Sequence, residues 1–237
     1  MNIVERVADS VKIRNIIVSV SDKSGLEEFI PGLVRTAPGI TLFSTGGTFT
    51  RIEDILSDAG LDSGPEACRL VRISEYTGQP EMQGGLVKTL DFKIYLGLLS
   101  EPFNSSHEDD LKRTNAVEID MVAANLYPFQ NTVADRDCTL ERGRSNIDIG
   151  GPCMLRASAK NYLRVASVCD PADYPAIIDE LESTGGALTL ETRFELARKS
   201  FAHTAAYDAA IAAYLAGIDP QNLDGEYTVD SDKGGTE

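Results

Sequence analysis

No apolar run in the sequence reaches the ~18 residues that a membrane-spanning helix requires. Basic residues are few, 22 Lys and Arg against 37 Asp and Glu for a net charge of −15. Without a basic face, general binding to nucleic acid is excluded. Histidine is scarcer still, with only His107 and His203, far apart in the chain. The four cysteines, Cys68, Cys138, Cys153 and Cys169, include no C-x-x-C pair, so no metal-ligand spacing is present. The segment Met1–Asp9 carries acids where a signal peptide has a basic and then an apolar stretch. That argues against secretion and for reduced cysteines in a cytoplasmic protein.

What is present is the composition of a globular chain: 237 residues, 42% hydrophobic and 25% charged, long enough to bury a substantial core. From Arg14 onward apolar strands alternate with amphipathic segments, the pattern of an α/β fold. Ile16–Val20 is a β-branched run, and Ser24-Gly25-Leu26-Glu27 has the form of a capping box, which predicts a helix starting there. Ile40–Ser44 reads as a second strand, followed by Thr45-Gly46-Gly47-Thr48 and a helix that stops before Gly60. Cys68–Ile73, Glu118–Asn125 and Arg164–Cys169 read as further strands. Pro152 suits the first turn of a helix carrying Leu155, Ala159 and Lys160, and Leu190–Ala216 reads as one long helix or two abutting ones. The expected organisation is an N-terminal extension over 1–13, one domain over 14–217 that is mainly helical from about residue 172, and an acidic tail over 218–237. With six acids and one Lys from Asp219 on, that tail is expected to be disordered.

In open parallel sheets ligands bind outside the carboxyl ends of the strands. Two strand–loop–helix turns place suitable groups there: Ser19-Val20-Ser21-Asp22-Lys23 and Thr45-Gly46-Gly47-Thr48. Paired helix N-termini of this kind suit a phosphate, and the plainer alternative is ordinary capping chemistry. Asp148 precedes the helix that opens at Gly150-Gly151-Pro152, and on it Arg156 and Lys160 share one face four residues apart. Like charges at that spacing repel, so either an anion lies between them or the stripe is simply solvated. Lys88 and Thr89 follow a Gly84-Gly85 pair, and Asn125 and Tyr127 close a strand. Lys, Tyr and Asp are adequate for acid/base work without a cofactor, although Tyr127 could equally be packed and Lys88 a surface residue.

Taken in order, Ser19–Leu26, Thr45–Thr48, Thr-Gly-Gln-Pro-Glu-Met (Thr77–Met82), Gly-Gly-Leu-Val-Lys-Thr-Leu (Gly84–Leu90), Asn-Leu-Tyr-Pro-Phe (Asn125–Phe129), Ile-Asp-Ile-Gly-Gly (Ile147–Gly151), Leu155–Asn161 and Phe201–Asp208 resemble the IMP cyclohydrolase domain of the bifunctional purine-biosynthesis enzyme. The resemblance covers about residues 14–216. It implies a methylglyoxal-synthase-like, Rossmann-like three-layer α/β/α fold and closure of the second purine ring of 5-formamidoimidazole-4-carboxamide ribotide to inosine monophosphate, with no metal or organic cofactor. By resemblance Ser19, Ser21, Asp22, Lys23 and Thr45, Gly46, Gly47 and Thr48 hold the ribotide phosphate. Lys88, Thr89, Asn125, Asp148, Ile149, Gly150 and Gly151 meet the base and formamide. Lys160 is then the proton donor and acceptor, Asp148 orients or deprotonates the carboxamide, and Lys88 and Tyr127 stabilise the formyl oxygen. A homodimer and a separate formyltransferase partner are implied as well.

Three positions depart from that pattern. Leu86 stands where the family has Arg, and Asp91 and Tyr95 where it has His. The expectation is weaker or shifted substrate binding. The competing class is a non-catalytic module of the same fold that binds or senses a purine ribotide, and Leu86 and Asp91 are the residues that favour it.

Overall fold

The computed structural model describes residues 3–64, 67–80 and 88–228. They form two compact units, one of residues up to 126 with 148–204 and the other of 127–147 with 205 onward. Gly84–Val87, the Leu86 departure and the end of the acidic tail lie outside the described residues.

The first unit opens on β1 (Ser10–Lys12) and β2 (Asn15–Val20), continues through β3 (Thr41–Ser44), β4 (Arg69–Arg72) and β5 (Met121–Asn125), and reaches β6 (Ala166–Val168). The last five form a wholly parallel sheet in the order β4-β3-β2-β5-β6. Because side chains alternate along a strand, the sheet buries both faces. Ile16, Val18 and Val20, with Leu42, Met121, Ala123, Ala166 and Val168, join a core shared with α1 (Leu26–Thr36), α2 (Gly46–Asp58) and α9 (Tyr174–Thr184). Ile17, Val122, Ala124 and Ser167 are also buried and belong to the opposite face, where α4 (Phe92–Leu99) packs on α8 (Gly150–Lys160) and α8 packs on β5 and β6. Ser158 of α8 hydrogen-bonds Ser167 of β6 at 2.8 Å. The result is the expected three-layer α/β/α arrangement.

Several expectations change in detail. The capping box does not form: the N-cap of α1 is Gly25 at φ 76, with no side-chain cap. The Ser24 hydroxyl instead donates to Asp22 at 2.6 Å, a local bond that competes with capping. The strand expected from Glu118 begins at Met121, because the buried Asp120 carboxylate accepts the Arg14 and Asn15 N–H groups, each at 2.9 Å. Desolvation raises the Asp120 pKa, opposed by those bonds and by Arg164. Leu190–Ala216 is one helix of 27 residues, α10. A short β7 (Ala187–Thr189) pairs antiparallel with β1, β4 runs into α3 (Ile73–Thr77), and the segment from Phe92 to Thr114 contains α4 and α5 (Ser105–Thr114), capped by the side chains of Asp91 and Asn104.

Two buried arginines tie this unit together. Arg164 donates to the carbonyls of Gly97, Ser100 and Ile119 and to Asp120. Arg193, fully buried, donates to the carbonyls of Ala8, Asp9, Tyr162, Leu163 and Leu188.

The second unit contains α6 (Phe129–Ala134), α7 (Leu140–Ser145) and α10 from Ala205 onward. Phe129 meets the rings of Tyr207 and Tyr214 edge-on at 6.1 and 5.6 Å. The segment expected to be disordered is partly structured: Pro220–Gly225 is a 3-10 helix capped by Asp219, and the Tyr227 hydroxyl donates to Glu141 at 3.0 Å.

Candidate active site

Chain order runs outward from β2 to β3 and β4 on one side and resumes with β5 and β6 on the other. The switch point of the sheet is therefore the gap between the carboxyl ends of β2 and β5, where doubly wound folds bind ligands. The residues that end these two strands interlock. Asn125 Oδ1 accepts from the Ser21 and Asp22 N–H groups at 2.6 and 2.8 Å, and its Nδ2 donates to the Asp22 carbonyl at 2.8 Å. The Ser24 hydroxyl and N–H, aided by Lys23, hold the Asp22 carboxyl below its ordinary value. Lys23 Nζ donates to the Ser21 carbonyl at 3.4 Å. Ser19, on β2, pairs with Ala124 of β5.

Beside this turn lies the start of α2. Thr45 precedes it in an extended conformation and its side chain makes no cap, so the first N–H groups of α2 keep their positive end of the helix dipole exposed to an anion. Gly46 has φ +47, a region that favours glycine. A Cβ at Gly46 would sit 3.3 Å from Lys88 Nζ, whereas one at Gly47 would meet nothing within 4 Å. Thr48 is buried and bonds back to Val20.

The start of α8 stands next to the end of β5. Asp148 Oδ1 accepts from the Gly151 N–H at 2.9 Å, and Ile149, exposed, is the N-cap. A Cβ at Gly151 would come to 2.5 Å from Asp148 Oδ2 and 2.7 Å from Leu126 Cδ2, and one at Gly150 to 2.5 Å from the Thr89 hydroxyl. Both glycines are thus demanded by close approach. The Lys88–Thr89 dipeptide therefore touches two helix starts, Lys88 at α2 and Thr89 at α8.

A cavity of about 450 Å³ extends from the switch point toward α10, lined among others by Asp22, Asn125, Cys169, Asp170, Lys199 and His203. Lys199 pairs with Asp170 at 2.7 Å and Asp173 at 2.9 Å, and its hydrogen bonds lower the Asp170 pKa. His203 is half-buried, its Nε2 has no hydrogen-bond partner, and desolvation lowers its pKa against the pull of Asp170. This wall draws on β6 and α10, and only the His203 motif signalled it in the sequence.

The structure does not bring Lys160 to this edge. It is exposed at the last residue of α8, about 15 Å along the axis from Gly150 at the helical rise of about 1.5 Å per residue. The next residue, Asn161, donates to the carbonyls of Leu98 and Ser100, and Arg164 bonds Asp120 just before β5, so this is the amino-end side of the sheet. Tyr127 belongs to the second unit and is 49% exposed. Of the two departures described, Asp91 is buried and caps α4 through the Lys93 N–H at 2.8 Å. The Tyr95 hydroxyl is buried with the Cys153 thiol as its polar neighbour, and burial, then Cys153, raises its pKa. Among the described residues no group of three or more His, Cys, Asp or Glu could hold a metal ion, and no helix is long and apolar enough to cross a membrane.

Residues 25–153 match the MGS-like domain family, and residues 158–234 match the AICARFT/IMPCHase bienzyme family. The chain is 44% identical over 216 residues to the bifunctional purine biosynthesis protein PurH of Magnetococcus marinus, which covers 91% of this chain and 38% of that protein. It is 44% identical over 214 residues to PurH of Neisseria meningitidis serogroup C, at 90% and 38%. The chain thus spans less than two fifths of the length of these curated relatives. The crystal structure of ForH superposes with a TM-score of 0.67 at 32% identity, covering 84% of this chain and 97% of that one.

Proposed function

The chain belongs to the MGS-like domain family, and on that premise we propose that it is an IMP cyclohydrolase, closing 5-formamidoimidazole-4-carboxamide ribotide to inosine monophosphate with loss of water. One observation carries the reading. The Lys88–Thr89 dipeptide stands against the starts of both α2 and α8 at the carboxyl edge of the sheet, which supports an anion at one helix and a reacting amide at the other. The similarity to PurH over nine tenths of the chain supports the same substrate class.

The chemistry follows from the groups available. The uncapped start of α2, with Ser21 and Lys23 beside it, receives the phosphate and reverses the acidic field locally. Holding the ribotide there sets the carboxamide nitrogen against the formyl carbon and removes much of the entropic barrier. Asp148, fixed by the Gly151 N–H, takes the proton that the amide nitrogen loses as the new C–N bond forms. With Lys160 at the far end of α8, Lys88 is the one of the two lysines given a catalytic role by resemblance that stands at this edge. Its ammonium offsets charge on the former formyl oxygen and gives it one proton, Asp148 passes on the amide proton as the second, the C–O bond breaks to release water, and the former formamide N–H proton returns to Lys88 as the ring C=N bond forms. The substrate arrives already formylated, so a formyltransferase activity must act before this one, in the same cytoplasmic setting.

The test is the absorbance change on mixing the protein with the ribotide, beside Asp148→Asn. The expected outcome is ring closure that falls about 100-fold in the variant, the scale of one acid–base group. Binding without turnover by the wild type sinks the enzyme reading and leaves a ribotide-binding module. Equal turnover by the variant removes Asp148 from the chemistry.

A further inference from the structure

Two side chains that the motifs assign to the ligand are engaged by the protein's own backbone. Asn125 makes three bonds of 2.6 to 2.8 Å to the Ser21 N–H, the Asp22 N–H and the Asp22 carbonyl. An Asn side chain offers two donor hydrogens and two acceptor lone pairs, so the turn takes three of its four places. From the other side the Thr48 hydroxyl, 5% exposed, donates to the Val20 carbonyl at 2.9 Å and accepts from the Val20 N–H at 3.3 Å. Val20, Ser21 and Asp22 are thus gripped over three consecutive residues, by β5 on one flank and by α2 on the other.

We infer that Asn125 and Thr48 are positioning residues: they fix the turn that presents Ser21 and Lys23 to a phosphate ester, and read neither base nor phosphate themselves. The identity of the ligand rests on the cyclohydrolase reading above, whereas the grip does not. The Ser21 and Asp22 N–H groups are occupied by Asn125, and the Ser24 N–H by Asp22 at 2.9 Å, so this turn is no row of open donors. Backbone donors for the phosphate then come from the start of α2, and the turn supplies side chains. An exposed turn with no such grip would open at little cost and present Ser21 and Lys23 in many arrangements.

The experiment uses the full chain with Asn125→Ala, Thr48→Val and Thr48→Ser, and two probes: the ribotide and ribose 5-phosphate, which has no base. Amide hydrogen exchange at Val20, Ser21 and Asp22 is followed in parallel. Asn125→Ala is expected to speed exchange at Ser21 and Asp22 about tenfold and to weaken both probes by the same factor, about tenfold, raising KM with kcat held within about twofold. Thr48→Val, of nearly the same volume, acts likewise at Val20, and Thr48→Ser restores the wild-type values. If Asn125→Ala fails to fold, the Thr48 pair decides. A loss confined to the ribotide with unchanged exchange overturns the inference, because Asn125 then reads the base. Faster exchange with unchanged affinity for both probes overturns it too. If the wild type binds ribose 5-phosphate but does not close the ribotide, the cyclohydrolase reading falls and the grip is still judged on ribose 5-phosphate. If it binds neither probe, both fall.

Discussion

Replacing Gly151 by Ala tests the start of α8 most directly. The added Cβ would lie 2.5 Å from Asp148 Oδ2 and 2.7 Å from Leu126 Cδ2, against about 3.5–4.0 Å for carbon atoms in comfortable contact. Each neighbour must move by about 1 Å. Leu126 is buried, and forcing extra volume into a packed site costs about 1–3 kcal/mol. Asp148 can yield only by loosening its bond to the Gly151 N–H, a charged hydrogen bond of about 1.5–3 kcal/mol. The two costs overlap, because moving the carboxylate relieves part of the clash, so the expected total is about 3 kcal/mol. At about 2–4 °C per kcal/mol for a chain of this size, Tm falls by about 6–12 °C. A 1 Å displacement of the reacting carboxylate lowers kcat about 100-fold. Thermal melting and the ring-closure assay read the two effects separately. A variant that melts within about 2 °C of the wild type and turns over normally would refute the packing argument. One that melts early but keeps full kcat would refute the role of Asp148.

Arg193→Met takes the donor from five carbonyl groups, of which that of Leu188 is buried and the others part-buried, and is expected to cost about 3 kcal/mol in chemical denaturation; a loss under about 1 kcal/mol would mean that water replaces the guanidinium. Asp170 has its pKa lowered from 3.8, first by its bond to Lys199. This contribution is therefore present above the unfolded value and lost as pH falls through the folded one. Lys199→Met should be less stable than the wild type by about 0.5 kcal/mol at neutral pH, the two groups being some 40% exposed, and equal to it once both forms are protonated in strong acid. A gap that persists in strong acid would refute the pairing.

The parts of the fold that sequence foretold are those set by local pattern. Ile16–Val20, Thr41–Ser44 and Met121–Asn125 are runs whose alternate residues must all be buried, and few conformations other than a central strand satisfy that. The helix starts at Thr45–Thr48 and Ile149–Gly151 are legible too, because Gly with Thr after a strand, or Gly before Pro, marks where a helix begins, whether for capping or for a ligand. What escaped depended on distance. The partners β1 and β7 are three residues each and far apart in sequence, too short to signal pairing. The spacing of Arg156 and Lys160 gives a shared face but says nothing of how far Lys160 stands from Asp148, which the rise of α8 decides. The spacing of Ser24 to Glu27 is that of a cap, yet Asp22, two residues away, offers its hydroxyl a nearer acceptor. The roles of Asn125 and Thr48 are hidden in another way: a polar residue at a strand end or in the first turn of a helix looks the same whether it meets a ligand or the neighbouring turn.

Arg193 also sets a timetable. Its bond to the Ala8 carbonyl spans 185 positions, and β1 closes on β7 across nearly the same distance. On a ribosome adding about 5–20 residues per second, residues 8 to 12 emerge roughly ten to forty seconds before anything they finally bind. During that interval the β-branched run that follows them can pair with Thr41–Ser44, whose helix neighbours are already made, while residues 8–12 wait unpaired. The segment 8–12 is thus among the last parts to find its place, and agents that prey on open polypeptide during synthesis would find it there.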